Sequence, residues 1–166
     1  MRVLGIDCGT EYTGYGVVEM RDSGGLLCIT CGAIKLSSRD RMAVRLATIF
    51  ERLTEMIREH QPNSVAIEDV FYSLNVRSAL KLGQVRGVAM LAAAAAGRDV
   101  AEYAPLAIKS AVVGYGRAEK HQVQQMVTRL LNLSEIPEPA DAADALAIAI
   151  CHLHTAATLQ RQHATS

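Results

Sequence analysis

Apolar and polar positions alternate along this chain in runs of two kinds, and their order sets out an architecture. Arg2-Val-Leu-Gly-Ile-Asp7 is an apolar run that ends in an acid and predicts a buried strand. A Gly-rich turn leads to a second strand over residues 13–20. Asp22-Ser23-Gly24-Gly25 then turns the chain into a third, over 26–36. Ser37-Ser38-Arg39-Asp40 offers an N-cap for a helix over 41–59, where Val44, Ala47, Phe50, Leu53 and Ile57 recur at helical spacing. Pro62 and Asn63 end that helix before a short strand, Ser64-Val-Ala-Ile-Glu68. Residues 71–75 read as a loop, 76–96 as a long helix stopped by Gly97, and 100–104 as another strand. A short helix over 107–113, a tight Gly114-Tyr115-Gly116 loop and a helix over 118–131 follow. Pro137-Glu138-Pro139 precedes a last helix that opens at Asp141.

Three hairpin strands followed by alternating helix and strand predict an α/β protein. Its mixed sheet has an antiparallel N-terminal meander and helices on both faces. The 166 residues suffice for one domain with a real core, read here as 1–166 with 156–166 a flexible tail. Half of the residues are hydrophobic but only 4% aromatic, which suits aliphatic helices packed on a sheet. The opening passes straight into an apolar strand with no signal-like leader, and the Ala-rich stretch 87–97 is too short to span a bilayer. The expectation is a soluble, cytoplasmic protein with no membrane partner.

Cysteine and histidine change the picture little. Cys8, Cys28, Cys31 and Cys151 do not make a disulfide framework in a chain of this length. Cys28-Ile-Thr-Cys31 has metal-knuckle spacing, but no second pair follows. Residues three apart on a regular strand also point to opposite faces. These are read as buried structural thiols. His152 and His154 read as a helix end, suited to exposure or a cation–dipole contact rather than to a metal.

Charge matters more. The net charge is zero, yet the segment 73–132 carries eight Lys or Arg (77, 81, 86, 98, 109, 117, 120, 129) against three acids (99, 102, 119). The remainder carries nine basic against fourteen acidic residues. A neutral total hides a basic middle, the footprint expected of phosphate contact, although solvated helix faces give a weaker version of the same bias.

Four acids stand out against this background. Asp7 and Glu68 end apolar strands, and Asp141-Ala-Ala-Asp144 opens an apolar helix with two carboxylates on one face. Taken singly, each has a plain reading. Asp141 and Asp144 complement a helix dipole, Asp7 sits in a turn, and Glu68-Asp69 is an exposed strand end. Together, three core elements that all terminate in acids point to a site, because buried acids are rare unless paired or bound to metal. Hard oxygen ligands suit Mg²⁺ or Mn²⁺.

Longer motifs carry a resemblance. Gly5-Ile-Asp7-Cys-Gly9, Val65-Ala-Ile-Glu68-Asp-Val-Phe71, Ser78-Ala-Leu-Lys-Leu-Gly-Gln-Val-Arg-Gly87, Val113-Gly-Tyr-Gly-Arg-Ala-Glu-Lys120-His-Gln-Val123 and Asp141-Ala-Ala-Asp144-Ala-Leu-Ala-Ile-Ala resemble the RuvC family of Holliday-junction resolvases, in order and over nearly the whole chain. The resemblance implies an RNase H-like fold, a homodimer, and magnesium-dependent nicking of opposed strands at a four-way DNA junction. The nicks are paired and leave 5′-phosphate and 3′-hydroxyl ends. It implies a RuvA–RuvB branch-migration complex as partner. Carried over by position, Asp7, Glu68, Asp141 and Asp144 match the catalytic carboxylates, and Lys109 and Lys120 match lysines near the scissile phosphate.

Phe71 matches an aromatic that stacks on a base near the crossover; anchoring the loop in the core is its other reading. Tyr72, Arg77, Lys81 and Arg117 are the further candidate DNA contacts. Two positions depart from the family pattern. Cys8 replaces a usual proline, loosening the turn after Asp7, and Asp69 replaces a common glutamine, adding negative charge near the DNA path. Such carboxylates suit two Mg²⁺ ions, with Mn²⁺ a substitute, held roughly 4 Å apart to clamp the attacking and leaving oxygens. Asp7 would bridge them, with Glu68 on one ion and Asp141 and Asp144 on the other. The dimer contact is expected on the apolar face of the 76–96 helix.

Three rivals are weaker. An actin-like or sugar-kinase-like phosphotransferase shares the Asp7-Cys-Gly-Thr10 opening but needs two such domains. A junction-binding scaffold without activity sits badly with four intact carboxylates. A nuclease of ribosomal RNA precursors shares the opening strands, but the Asp141–Asp144 helix and the Lys120 segment favour the resolvase.

Overall fold

A computed structural model of the chain describes residues 1–69 and 75–164. Strands β1 (Arg2–Asp7), β2 (Tyr12–Met20) and β3 (Leu26–Lys35) form the antiparallel meander, followed by helix α1 (Met42–His60) and strand β4 (Ser64–Glu68). Helix α2 (Val76–Ala95), strand β5 (Asp99–Tyr103), and helices α3 (Pro105–Val113), α4 (Lys120–Leu130) and α5 (Ala140–Ala164) complete it. The sheet order is β3-β2-β1-β4-β5, with β4 and β5 parallel to β1. The mixed sheet expected from the residue pattern is present.

Period-two alternation divides each central strand between two cores. Leu4 and Ile6 of β1 and Val65 and Ile67 of β4 pack with Ile49, Leu53 and Ile57 of α1 and Val85 and Ala89 of α2. Val3 and Ala66 point the other way, onto Ile108 and Val112 of α3, Val123 and Val127 of α4, and Leu146 and Ile150 of α5. Helices therefore cover both faces.

Packing overrides local signals at several boundaries. The expected cap among Ser37 to Asp40 is not used: Arg41 stands at the N-cap of α1 and makes no side-chain bond there. A cap contributes about 1 kcal/mol, whereas each buried Ile or Leu of α1 contributes about 1.5–3 kcal/mol, so burial sets the helix. Helix α4 starts later than its apolar pattern suggests. The Gln122 side chain accepts from the Glu119 backbone N–H at 2.8 Å, which makes Glu119 the cap and Lys120 the first helical residue. Pro105 opens α3, earlier than expected, because its missing N–H costs nothing at a helix start.

Two expectations are corrected outright. His152 and His154 do not end a helix, since α5 runs on to Ala164. His152 bridges the Ser64 hydroxyl at 2.9 Å and the Tyr103 hydroxyl at 2.8 Å, tying α5 to β4 and β5. The His154 Nδ1–H donates to the Ala111 carbonyl at 3.0 Å. The second correction concerns Cys28 and Cys31. A bulge pairs Val17 with Thr30 and Val18 with Cys28, leaving Ile29 as the extra residue. Both thiols consequently turn to the α5 face, close enough to hydrogen-bond each other, and they are free and half-buried, not buried as expected.

Helix α5 contains an apolar stretch, Ala140–Leu159, long enough by composition to cross a bilayer. More than half of it is buried inside the fold, as a core helix requires. It approaches the sheet closely because Gly5 and Gly14 lie beneath it. A Cβ on Gly5 would stand 2.1 Å from the Ala145 carbonyl oxygen, and one on Gly14 would stand 2.1 Å from that of Asp141.

Candidate active site

Parallel pairing brings two of the acids together. Ile6 lies opposite Ile67, so the next residues, Asp7 and Glu68, emerge side by side at the ends of β1 and β4. The seating of α5 on Gly14 then delivers its first turn to the same end of the sheet. Asp7, Glu68 and Asp144 line one cavity of about 220 Å³, shared with Lys109 of α3 and Lys120 of α4. Pro105, Ile108, Val123 and Ile148 form its apolar wall. Asp141 does not line the cavity, yet its charge reaches Asp7.

The electrostatics follow from crowding. Asp7 is pushed up to about 7, first by burial and then by the charges of Asp144, Glu68 and Asp141, with Lys120 opposing. Glu68 is raised by burial and by Asp144, against the pull of Lys109 and Lys120. Lys120 donates to Asp144 at 2.6 Å, and this bond raises its own pKa. Burial, helped by the charge of Asp7, pushes the Cys8 thiol up to about 12, so Cys8 is an inert neighbour.

A cluster made only of carboxylate oxygens, with more negative than positive charge, fits hard divalent cations. The donor set thus agrees with the metal chemistry implied by the sequence. Among the described residues, no three of these side chains stand close enough together to hold a metal ion as they are placed. Asp144 instead faces the Lys120 ammonium.

The other expected residues divide. Arg77 and Lys81 are exposed on α2, and Arg117 is exposed before α4, all apart from the cavity lining. Phe71 and Tyr72 lie outside the described residues.

Two features escaped the sequence reading. Arg86 of α2 forms ion pairs with Asp69, at 3.3 Å, and with Glu102. Its guanidinium offsets the extra charge that Asp69 introduces, so Arg86 itself is engaged within the fold. No local signal links residues 17 apart across a helix and a strand. The apolar wall from α3, α4 and α5 was legible only as core periodicity, which does not say that one end of a core lines a site.

A family model described as "Crossover junction endodeoxyribonuclease RuvC" matches residues 3–152. The protein of that description from Koribacter versatilis is 68% identical over 164 residues, covering 99% of each chain. The solved "Thermus thermophilus RuvC structure" matches with a TM-score of 0.89 at 35% identity, over 95% of this chain and 96% of that one. A second solved chain, "T. thermophilus RuvC in complex with Holliday junction substrate", matches with a TM-score of 0.88 at 32% identity, over the same shares. The fold is the RNase H-like arrangement of these structures.

Proposed function

The chain belongs to the RuvC family of crossover junction endodeoxyribonucleases, and on that premise we propose that Asp7, Glu68, Asp141 and Asp144 are its catalytic carboxylates. It is a metal-dependent nuclease that resolves four-way DNA junctions. The observation that carries the site assignment is the convergence of three carboxylates from β1, β4 and α5 with two lysines on one cavity.

The four carboxylates would hold two Mg²⁺ ions, with Mn²⁺ as a substitute, and such ions would supply positive charge to the departing 3′ oxygen and acidify a water. The rest falls to the chain's own groups. Lys109 and Lys120 bind the backbone phosphate at the cut, Lys120 from the first turn of α4, where free N–H groups also favour phosphate. Ile108, Val123 and Ile148 limit water around the carboxylates, which strengthens every charge interaction at the cavity. Phe71 stacks on a base at the crossover, with Tyr72, Arg77, Lys81 and Arg117 as outer contacts to the DNA.

A four-way junction has two-fold symmetry, so a homodimer would present one site to each opposed strand. The exposed Val76, Leu80 and Leu91 of α2 support that helix as the dimer contact. A RuvA–RuvB complex is the partner, and the cytoplasm the location, that a bacterial junction nuclease requires. The family match over residues 3–152 supports reading 1–166 as one domain; residues 156–164, expected as a flexible tail, are instead the last turns of α5.

The test is cleavage of a labelled synthetic four-way junction in Mg²⁺, with a linear duplex as control. Wild type should make paired, ligatable nicks in the junction alone, and Asp7→Asn should make none. Binding without cutting in both Mg²⁺ and Mn²⁺ would refute the catalytic assignment.

A further inference from the structure

Lys120 is the cation that pairs directly with the carboxylate cluster. It donates to Asp144 at 2.6 Å, and its charge reaches Asp7 and Asp141 as well. Among the described residues, Lys109, the other cation lining the cavity, forms no ion pair with Asp144. The Lys120–Asp144 pair is also loosely held. The lysine side chain is 58% exposed and the carboxylate 26%, and an ion pair that open to water exchanges readily.

One carboxylate oxygen cannot give the same lone pair to an ammonium and to a divalent ion. We infer that Lys120 is a built-in counterion of the carboxylate cluster, displaced from Asp144 when a divalent ion binds and thereby freed to meet a phosphate. This rests on the reading that the carboxylates hold divalent ions.

The arrangement has two consequences. Before metal arrives, Lys120 offsets part of the repulsion that three carboxylates impose on one another. After metal arrives, the ammonium has lost its partner at the mouth of a cavity where a DNA phosphate is to be seated. Metal binding and phosphate binding then favour each other, and the coupling is reciprocal by linkage. Lys120 is in this respect a positioning residue for the loaded site, in addition to any contact with substrate.

Metal binding in the absence of DNA separates these ideas. Mn²⁺ affinity is measured by electron paramagnetic resonance on the full chain, for wild type, Lys120→Gln, Lys120→Arg and Lys109→Gln. Lys120→Gln should bind Mn²⁺ about two- to fivefold more tightly than wild type, the size expected from removing one exposed competing ion pair. Lys120→Arg should stay near wild type, and Lys109→Gln should gain less than Lys120→Gln. If wild type binds Mn²⁺ but Lys120→Gln binds it no more tightly, the counterion role is wrong while the metal site stands. An equal gain in Lys109→Gln also overturns it, because the effect is then a general loss of positive charge. Wild type that takes up no Mn²⁺ overturns both readings.

Discussion

Gly14 of β2 lies directly under Asp141: a Cβ at Gly14 would stand 2.1 Å from the Asp141 carbonyl oxygen and 3.0 Å from the Asp141 Cβ. The hydrogen atom of one glycine therefore sets the height at which the first turn of α5 rides on the sheet. The same turn carries Asp141 and Asp144 to Asp7.

Gly14→Ala should consequently damage stability and activity together. The backbone of α5 cannot flex away as a side-chain tip could, so the cost should lie at or above the usual overpacking range of about 1–3 kcal/mol. Thermal denaturation should show a lowered midpoint. Junction cleavage should fall further than the loss of folded protein explains, because the surviving molecules hold Asp144 out of place.

Removing a single carboxylate should separate binding from cutting. Asp144→Asn and Glu68→Gln should each lower the cleavage rate on the order of a thousandfold, the scale seen when one electrostatic stabiliser of a transition state is lost. Junction affinity in a gel-shift assay should hold or improve, since each change removes negative charge from the DNA path. A parallel loss of affinity and rate would mean that these side chains organise the fold instead.

The metal-free protein should show a pH signature of Asp7. Its carboxyl titrates at about 7 in the fold and near 3.9 in an unfolded chain. Between about pH 4 and about pH 7 the folded protein holds a proton that the unfolded chain has released, so this residue's contribution to stability falls as pH rises through that window. Asp7→Asn, which cannot ionise, should gain stability over wild type across the same interval. Denaturant melts of both proteins in chelator at pH 4, 5.5 and 7 check this, and a constant difference would contradict it.

Lys109 should reveal itself through salt. If it meets one phosphate, Lys109→Ala should lower the slope of log affinity against log salt by about 0.9 and weaken all junction sequences alike. A change confined to particular sequences would assign it to a base instead.

His152→Ala should cost about 1–3 kcal/mol, because the Ser64 and Tyr103 hydroxyls lose their shared partner below α5. Urea melts check it. Since Asp7 and Glu68 stand at the far end of β1 and β4 from Ser64, cleavage per folded molecule should change little.

The antiparallel meander, the covering of both faces of a mixed sheet by helices, and the acids at the ends of β1, β4 and α5 were legible in the residue pattern alone. Each follows from local causes: period-two or period-3.6 burial, and the rarity of a carboxylate inside an apolar run. Motif order over the whole chain also pointed to the family. Other features are relations between segments far apart in the chain. The bulge at Val17 and Val18 put Cys28 and Cys31 on one face, against the alternation that a regular strand obeys. Arg86 took up Asp69 and Glu102, and His152 became a half-buried bridge instead of a helix end. The meeting of Lys120 with Asp144 depended on how α4 and α5 pack at one end of the sheet. Local sequence decides which side chains leave the core and where an element stops. Only the seating of one element on another, at heights set by residues such as Gly5 and Gly14, decides which charges come within reach of each other.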